Sequence, residues 1–382
     1  MNICVITPWY PVGCDTRYAF VEQLINAISL QGHNCTVVSP YNTFWSNKDK
    51  YPPIYEEKKV TNDILVKVFR PRFFNRNIPF FPVSTTRYCE MRAFESVLKD
   101  NNIKVDCIYC HFFVSALIGW RYAHNNNIPL YIATGESVIP KKLQVAHWSF
   151  TWTKLREDTK GVICVSTKNM NECIKLGYAD PDKCKVFPNS IDNTTFKLLK
   201  KEDCRKELGL PIDSFIVAFV GWFIERKGPN RIAKAIEKLG DPDVNALFIG
   251  KSPGSDGVEF ACDNILFKGP VQHSELPYFL NAADVFVLPT HAEGCCNAII
   301  EAMACGLPII SSNLPFNWDI LNENNSIMVD PNSIDEIATA IKKLKDDIDF
   351  RNAMSNEAVK TASGLTIDAR AKNIIEFIKS KL

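Results

Sequence analysis

Short apolar runs alternate with helical stretches along the chain, and this rhythm starts twice. Asn2–Thr7 reads as a strand, and Arg17–Leu30 follows with Phe20, Leu24, Ala27 and Ile28 on one helical face. Gln31-Gly32-His33 ends that helix, because Gly32 suits the left-handed position after a last turn. Further strands are predicted at Cys35–Val38, Ile64–Phe69, Cys107–Tyr109, Leu130–Ala133, Val162–Val165 and Cys184–Phe187. The polar stretch Lys197–Ser214 interrupts the pattern. It resumes at Phe215–Val220 and continues through Ala246–Ile249, Ile265–Lys268, Val285–Leu288, Pro308–Ser311 and Ile327–Val329. Ser333 and Glu336 predict a capping box for a helix running to Leu344.

A strand that returns through a helix lies parallel to its predecessor, so each half is expected to be a mainly parallel sheet covered by helices on both faces. The reading is two doubly wound α/β domains at 1–195 and 213–362, a linker at 196–212, and a last amphipathic helix within 363–382. The length of 382 residues gives each domain enough chain to bury a core. Ligands of open α/β sheets bind beyond the C-terminal strand ends, so two such edges facing across a cleft would hold two substrates.

The segment 284–311 carries the strongest chemical signal. It runs strand, loop, short helix at about Asn297–Ala304, glycine stop, strand. Free amides and the positive dipole end at the start of that helix suit a diphosphate arriving at the loop Gly294-Cys295-Cys296. Glu293 precedes the helix and Glu301 lies about two turns along it. A carboxylate can accept two hydroxyl hydrogen bonds, so the pair suits sugar or ribose diols.

This segment resembles the signature of the retaining nucleotide-sugar glycosyltransferases of family four, which have the GT-B fold. That signature is a glutamate, seven residues, a second glutamate, then Ala-Met-Ala-x-Gly-x-Pro, here Glu293 to Glu301 and Ala302 to Pro308. The resemblance implies that Glu293 contacts the donor sugar, that Glu301 holds the nucleotide ribose, and that the amides of Asn297 and Ala298 bind phosphate. It also implies that the final helix crosses back onto the first domain. Phe219–Gly228 looks like the family's basic diphosphate loop, with Lys227 in the lysine position. Trp222 stands where the family has an arginine, and Arg226 is the neighbouring cation that could supply the charge. Adjacent cations after a strand would neutralise the leaving diphosphate. Gly13 stands where the family has a glycine pair, and a glycine permits close approach of backbone to a phosphate or sugar. His111 resembles the family's histidine near the donor sugar, and Gly269-Pro270-Val271 resembles the segment that contacts the base. Pro188–Asp192 resembles the family's domain junction, with Ser190 replacing a glycine.

Composition narrows the alternatives. A net charge of +1 supplies no global field for nucleic acid, and no nucleic-acid motif is present. Pro8 ends the first apolar run too early for a signal core, so a cytoplasmic protein with reduced thiols is expected, with the inner face of the membrane as the alternative site. Cys107-Ile108-Tyr109-Cys110-His111 has the spacing of a haem-attachment motif but reads as a buried strand. A lone CxxC lacks the second pair of a closed zinc site. The Asp-x-Asp pairs at 180 and 182, 241 and 243, and 347 and 349 fall in turns or a charged helical region, so neither a catalytic metal nor a cofactor is expected. Residues 67–92 hold Lys67, Arg70, Arg72, Arg76, Arg87 and Arg92 interleaved with Phe69, Phe73, Phe74, Phe80 and Phe81. Such a surface suits an anionic membrane and a lipid-linked acceptor.

The expected activity is transfer of a sugar from a nucleotide diphosphate sugar, UDP- or GDP-linked, to a hydroxyl of a glycan or lipid-linked acceptor. The competing readings are a nucleotide-sugar epimerase of similar architecture and a non-catalytic nucleotide-sugar-binding subunit.

Overall fold

The computed structural model describes residues 1–13, 15, 17–45, 51–76, 85–135 and 149–382. It divides into a first unit of Met1–Phe187 with Ile367–Leu382 and a second unit of Pro188–Thr366.

The first unit is built on β1 (Asn2–Ile6), β2 (Asn34–Val38), β3 (Tyr41–Asn42), β4 (Tyr55–Lys59), β5 (Leu65–Phe69), β6 (Arg72–Phe73), β7 (Cys107–His111), β8 (Leu130–Thr134), β9 (Thr159–Cys164) and β10 (Cys184–Val186). Its main sheet runs β10-β9-β8-β7-β1-β2-β5-β4, and β3 pairs separately with β6. Within the main sheet only β4 is antiparallel, paired with β5 so that Tyr55 faces Phe69. The helices are α1 (Ala19–Leu30), α2 (Thr85–Asp100), α3 (Phe113–Asn125), α4 (Ser149–Asp158) and α5 (Thr167–Lys175).

Helices cover both faces, so the central strands have no solvated side. All five residues of β7 and of β8 are buried. Side chains alternate between two cores. Cys107 and Tyr109 join one with Leu24, Ile25 and Ile28 of α1, whereas Ile108 and Cys110 join the other with Phe94 and Phe113. The two cysteines of the haem-like motif therefore project from opposite faces of the sheet. No single macrocycle could be gripped by both. Burial raises both thiols, Cys107 to about 12.

The last helix, numbered α12 below, spans Ile367–Lys381 and completes the first core. Ala371, Ile374, Ile375 and Ile378 recur at helical spacing on its buried stripe. Gly161 admits it closely: a Cβ there would lie 2.6 Å from the Phe377 ring. The Tyr131 hydroxyl donates to the Ile378 carbonyl at 3.0 Å.

The second unit contains β11 (Phe215–Val220), β12 (Val244–Ile249), β13 (Ile265–Gly269), β14 (Val285–Leu288), β15 (Ile309–Ser312) and β16 (Ser326–Val329). Its helices are α6 (Lys201–Glu207), α7 (Pro229–Leu239), α8 (Leu276–Ala282), α9 (Asn297–Ala304), α10 (Ile334–Asp346) and α11 (Ile348–Ser363). The sheet order is β13-β12-β11-β14-β15-β16, all parallel. The order reverses between β11 and β14, which makes a switch point at their C-terminal ends.

Residues 188–195 belong to this second unit rather than to the first, and 196–212 are part of it rather than a free linker. The cause is local bonding. The Ile191 amide donates to the Leu365 carbonyl at 3.0 Å. Arg205 is buried and donates to Asp284 at 2.7 Å and to the Ala282 carbonyl at 2.8 Å. The capping box at α10 forms only in half. Ser333 Oγ accepts from the Glu336 amide, but the Glu336 carboxylate accepts from the Asp330 amide instead of that of Ser333.

Candidate functional site

Two loops meet at the switch point of the second sheet. The first follows β11 and ends at Gly228, which stands before α7 at φ +78, a conformation that favours glycine. The second follows β14 and leads into α9. Arg231 of α7 is buried and ties them together. Its Nη1 donates to the Glu225 carbonyl at 2.9 Å and its Nη2 to the Pro289 carbonyl at 2.8 Å. The His291 amide adds a bond to the Arg226 carbonyl at 2.9 Å.

That stapling brings three expected site residues onto one atom. Glu293 Oε1 lies 2.6 Å from Lys227 Nζ and 3.0 Å from Arg226 Nη1. It also accepts from Thr290 Oγ1 at 2.9 Å. Glu293 and Lys227 are buried. Two cations against one carboxylate leave a local excess of positive charge, which an incoming diphosphate can neutralise. Trp222 takes no part in this cluster. Its ring is 45% exposed, with Lys251 Nζ 5.4 Å over it.

Helix α9 begins at Asn297, as its sequence pattern predicts, and buries Ile299, Ile300 and Met303. It ends in a pair of bonds around Gly306 at φ +82: the Gly306 amide to Met303 and the Leu307 amide to Ala302, both at 3.0 Å. Gly294, Cys295 and Cys296 are buried at its start, while Asn297 and Ala298 are half-buried. Burial pushes the Cys296 thiol up to about 11, so it is a neutral neighbour of the charged cluster.

Asn189 positions this loop, a role the sequence did not reveal beyond a junction motif. Its Nδ2 donates to the Cys295 carbonyl at 2.9 Å and to Asn297 Oδ1 at 2.8 Å, and its amide donates to Cys295 Sγ at 3.3 Å. Thr290 and Arg231 were also missed. Thr290 directly follows Pro289 after an apolar strand, so its place beside a carboxylate could have been suspected. Arg231 looks like any helical arginine.

Glu301 lies a short distance along α9 from the charged cluster. Its Oε1 pairs with His273 Nε2 at 3.5 Å, just past β13 and the half-buried Val271.

The first sheet also reverses order, between β1 and β7. Gly13 follows β1, and His111 is the last residue of β7. Gly13 has φ +54 inside a tight turn closed by Val12 and Asp15, whose amides and carbonyls exchange bonds at 3.1 and 2.9 Å. His111 ends β7 and is 5% exposed. The Tyr109, Phe112 and Phe20 rings pack around it with centroids 5.2–6.0 Å away. Its Nε2 is buried with no hydrogen-bond partner among the described residues. Burial, and then the charge of Arg370, lower its pKa to about 3, so the ring is neutral near neutral pH. Phe112 follows with φ 72 and ψ 155, a region that side chains rarely adopt.

The basic aromatic surface expected at 67–92 is smaller than its sequence suggests. Arg70 is 2% exposed and donates to Glu56 at 2.6 Å and to the Pro11 carbonyl at 3.1 Å, so it braces the loop before Gly13. Phe69 is buried, and Arg87 pairs with Glu90. Phe80 and Phe81 lie outside the described residues. Lys67, Arg72, Arg76 and Arg92 are exposed, and Phe74 is 64% exposed. No helix among the described residues is long and apolar enough to cross a membrane. Two of the Asp-x-Asp pairs are engaged by cations, Asp180 by Arg156 and Asp241 by Lys345.

Comparison with known proteins matches both units. Residues 19–194 match the model of Glycosyltransferase Family 4, and residues 200–361 match that of Glycosyl transferases group 1. The chain is 28% identical over 289 residues to the UDP-Gal:α-D-GlcNAc-diphosphoundecaprenol α-1,3-galactosyltransferase of Escherichia coli, covering 71% of this chain and 74% of that one. It is 24% identical over 375 residues to the putative teichuronic acid biosynthesis glycosyltransferase TuaC of Bacillus subtilis, covering 94% and 93%. Among solved structures, sucrose-phosphate synthase from Thermosynechococcus elongatus superposes with a TM-score of 0.76 at 20% identity, covering 99% and 98%. HepE of Anabaena, in complex with UDP and glucose, gives 0.71 at 18% identity over the full length of both chains. The fold is GT-B and the chain is a glycosyltransferase. Within that class it belongs to the family-four type.

Proposed function

We propose that this glycosyltransferase takes a hexose from a UDP- or GDP-sugar and passes it, with retention of anomeric configuration, to a hydroxyl of a glycan or lipid-linked acceptor. The observation that carries this reading is the cluster of Arg226 and Lys227 on Glu293 beside the start of α9. A diphosphate entering there draws on both cations and on the amides of Asn297 and Ala298, while Glu293, released in part, becomes free to accept from sugar hydroxyls. Glu301 accepts from the ribose, and Val271 offers backbone to the base. Arg226 replaces the arginine absent at Trp222. No cofactor or metal enters the scheme. Stabilisation of the departing diphosphate by fixed charges lowers the barrier without reorganisation at the moment of bond breaking.

In the first unit, Gly13 permits close approach of substrate to backbone, and the neutral His111 presents an unpartnered Nε2. A nitrogen so poorly basic serves as a hydrogen-bond partner to a substrate hydroxyl rather than as a proton acceptor. By their descriptions, one of the two named relatives acts on a diphosphoundecaprenol-linked sugar and the other is a putative teichuronic acid biosynthesis glycosyltransferase. A lipid-linked acceptor at the cytoplasmic membrane face is therefore the acceptor class we favour, with Phe74, Arg72 and Arg76 as the contacting surface.

A panel of UDP-, GDP- and ADP-sugars, scored for binding and for slow hydrolysis, tests the donor reading. Lys227→Ala is expected to lower kcat on the order of 100-fold to 1,000-fold. Glu301→Ala is expected to raise donor KM about 10-fold to 100-fold. Unchanged turnover in both variants, or binding of none of the nucleotides, refutes the site. Product analysis without acceptor separates transfer from epimerisation.

A further inference from the structure

Among the described residues His273 is the one partner of the Glu301 carboxylate, and nothing in the family resemblance assigns it a role. Its Nε2 stands 3.5 Å from Glu301 Oε1. The imidazole packs edge-on against the Phe196 ring, with centroids 5.2 Å apart at 70°. All three residues belong to the second unit.

A ribose diol that binds a carboxylate bidentately needs both oxygens. One oxygen of Glu301 faces His273 Nε2 at 3.5 Å. We infer that His273 is a pH-set latch on the nucleotide-binding carboxylate, which donor entry must displace. This inference rests on the assignment of Glu301 to the nucleotide.

The charges around His273 set the latch in one direction. Glu301 of α9 raises its pKa first through the hydrogen bond, burial opposes that, and the charges of Glu301 and then Asp192, from the segment before α6, raise it further. Those two carboxylates are the charged groups that act on it, and Phe196 contributes an uncharged ring. The sign follows. With a raised pKa, the ion pair is complete below about pH 6.5 and is lost as pH rises through the folded-state value. Donor affinity should therefore improve with pH over that same window.

The test compares wild type with His273→Gln, which keeps a hydrogen-bonding side chain but cannot titrate. Binding of UDP, GDP and ADP is measured by calorimetry from about pH 5.5 to about pH 8, with folding at each pH confirmed by circular dichroism. The ratio of wild-type to variant Kd cancels titration of the nucleotide's own phosphate. We expect that ratio to be about threefold or more at the acid end and to approach one at the alkaline end. The imidazole Cε1–H resonance of His273 should titrate at lower pH when nucleotide is bound, by reciprocity. A ratio flat with pH, or a variant weaker by a constant factor, overturns the latch and makes His273 an ordinary contact. If no nucleoside diphosphate binds either form at any pH, the donor-site reading fails and the latch falls with it.

Discussion

Glu293 and His111 show what single residues can and cannot reveal. Glu293 is legible as a candidate site residue because of its spacing to Glu301. Its convergence with Arg226, Lys227 and Thr290 on one oxygen is not, since Arg226 is 67 positions away in sequence. His111 is legible by its place at a strand end, but its neutrality depends on the Tyr109, Phe112 and Phe20 rings that exclude water. This has a measurable consequence. A histidine whose folded pKa is depressed stabilises the protein above its unfolded value, and that stability fades as pH falls from about 6.5 toward 3. The unfolding free energy of wild type from urea titrations should therefore drop with acidification more steeply than that of His111→Gln, by up to about 1.4 kcal/mol per pH unit. Parallel curves for the two proteins would mean that the ring takes up its proton over the same pH range in the native and unfolded states, so that burial does not depress it.

At the scale of elements, α9 carries most of what the sequence foretold. Its start, its buried stripe and its glycine stop are local features, set by helical periodicity and by the left-handed turn at Gly306. Its setting is a tertiary matter. Asn189 reaches the loop before α9 from 106 and 108 positions away. Asn189→Ala removes two side-chain bonds and should cost about 1–2 kcal/mol of stability. Because it also loosens the amides proposed to bind phosphate, donor KM should rise about tenfold while kcat changes less. A stability loss without any change in KM would confine Asn189 to a structural role. The half-formed capping box at α10 teaches the same lesson: Ser333 behaves as its type predicts, whereas the Glu336 carboxylate accepts from the Asp330 amide, and the Ser333 amide donates to the Asp330 carbonyl instead.

For the whole molecule, the division at Phe187 and Pro188 predicts separable folding. The excised segment 188–366 carries its own sheet and should unfold cooperatively and bind nucleotide, as judged by thermal scans with and without UDP. The first unit is discontinuous. Removing 367–382 strips Ile374, Ile375 and Ile378 from the core, roughly 5–9 kcal/mol of burial, which is comparable to the entire stability of a domain. That truncation should yield aggregated protein, and a soluble, cooperatively folded product would show that α12 is dispensable.

Alternation of strands and helices, the two-sheet architecture and the candidate site at the start of α9 are readable from the residues alone, because strand and helix periods and terminal caps act over a few positions. The unit boundary, the burial of Arg70 in what looked like a basic surface, and the shared oxygen of Glu293 were decided by the tertiary structure. Those outcomes depend on which distant groups meet when water is excluded, and charge pairing and burial are properties of that meeting rather than of local pattern.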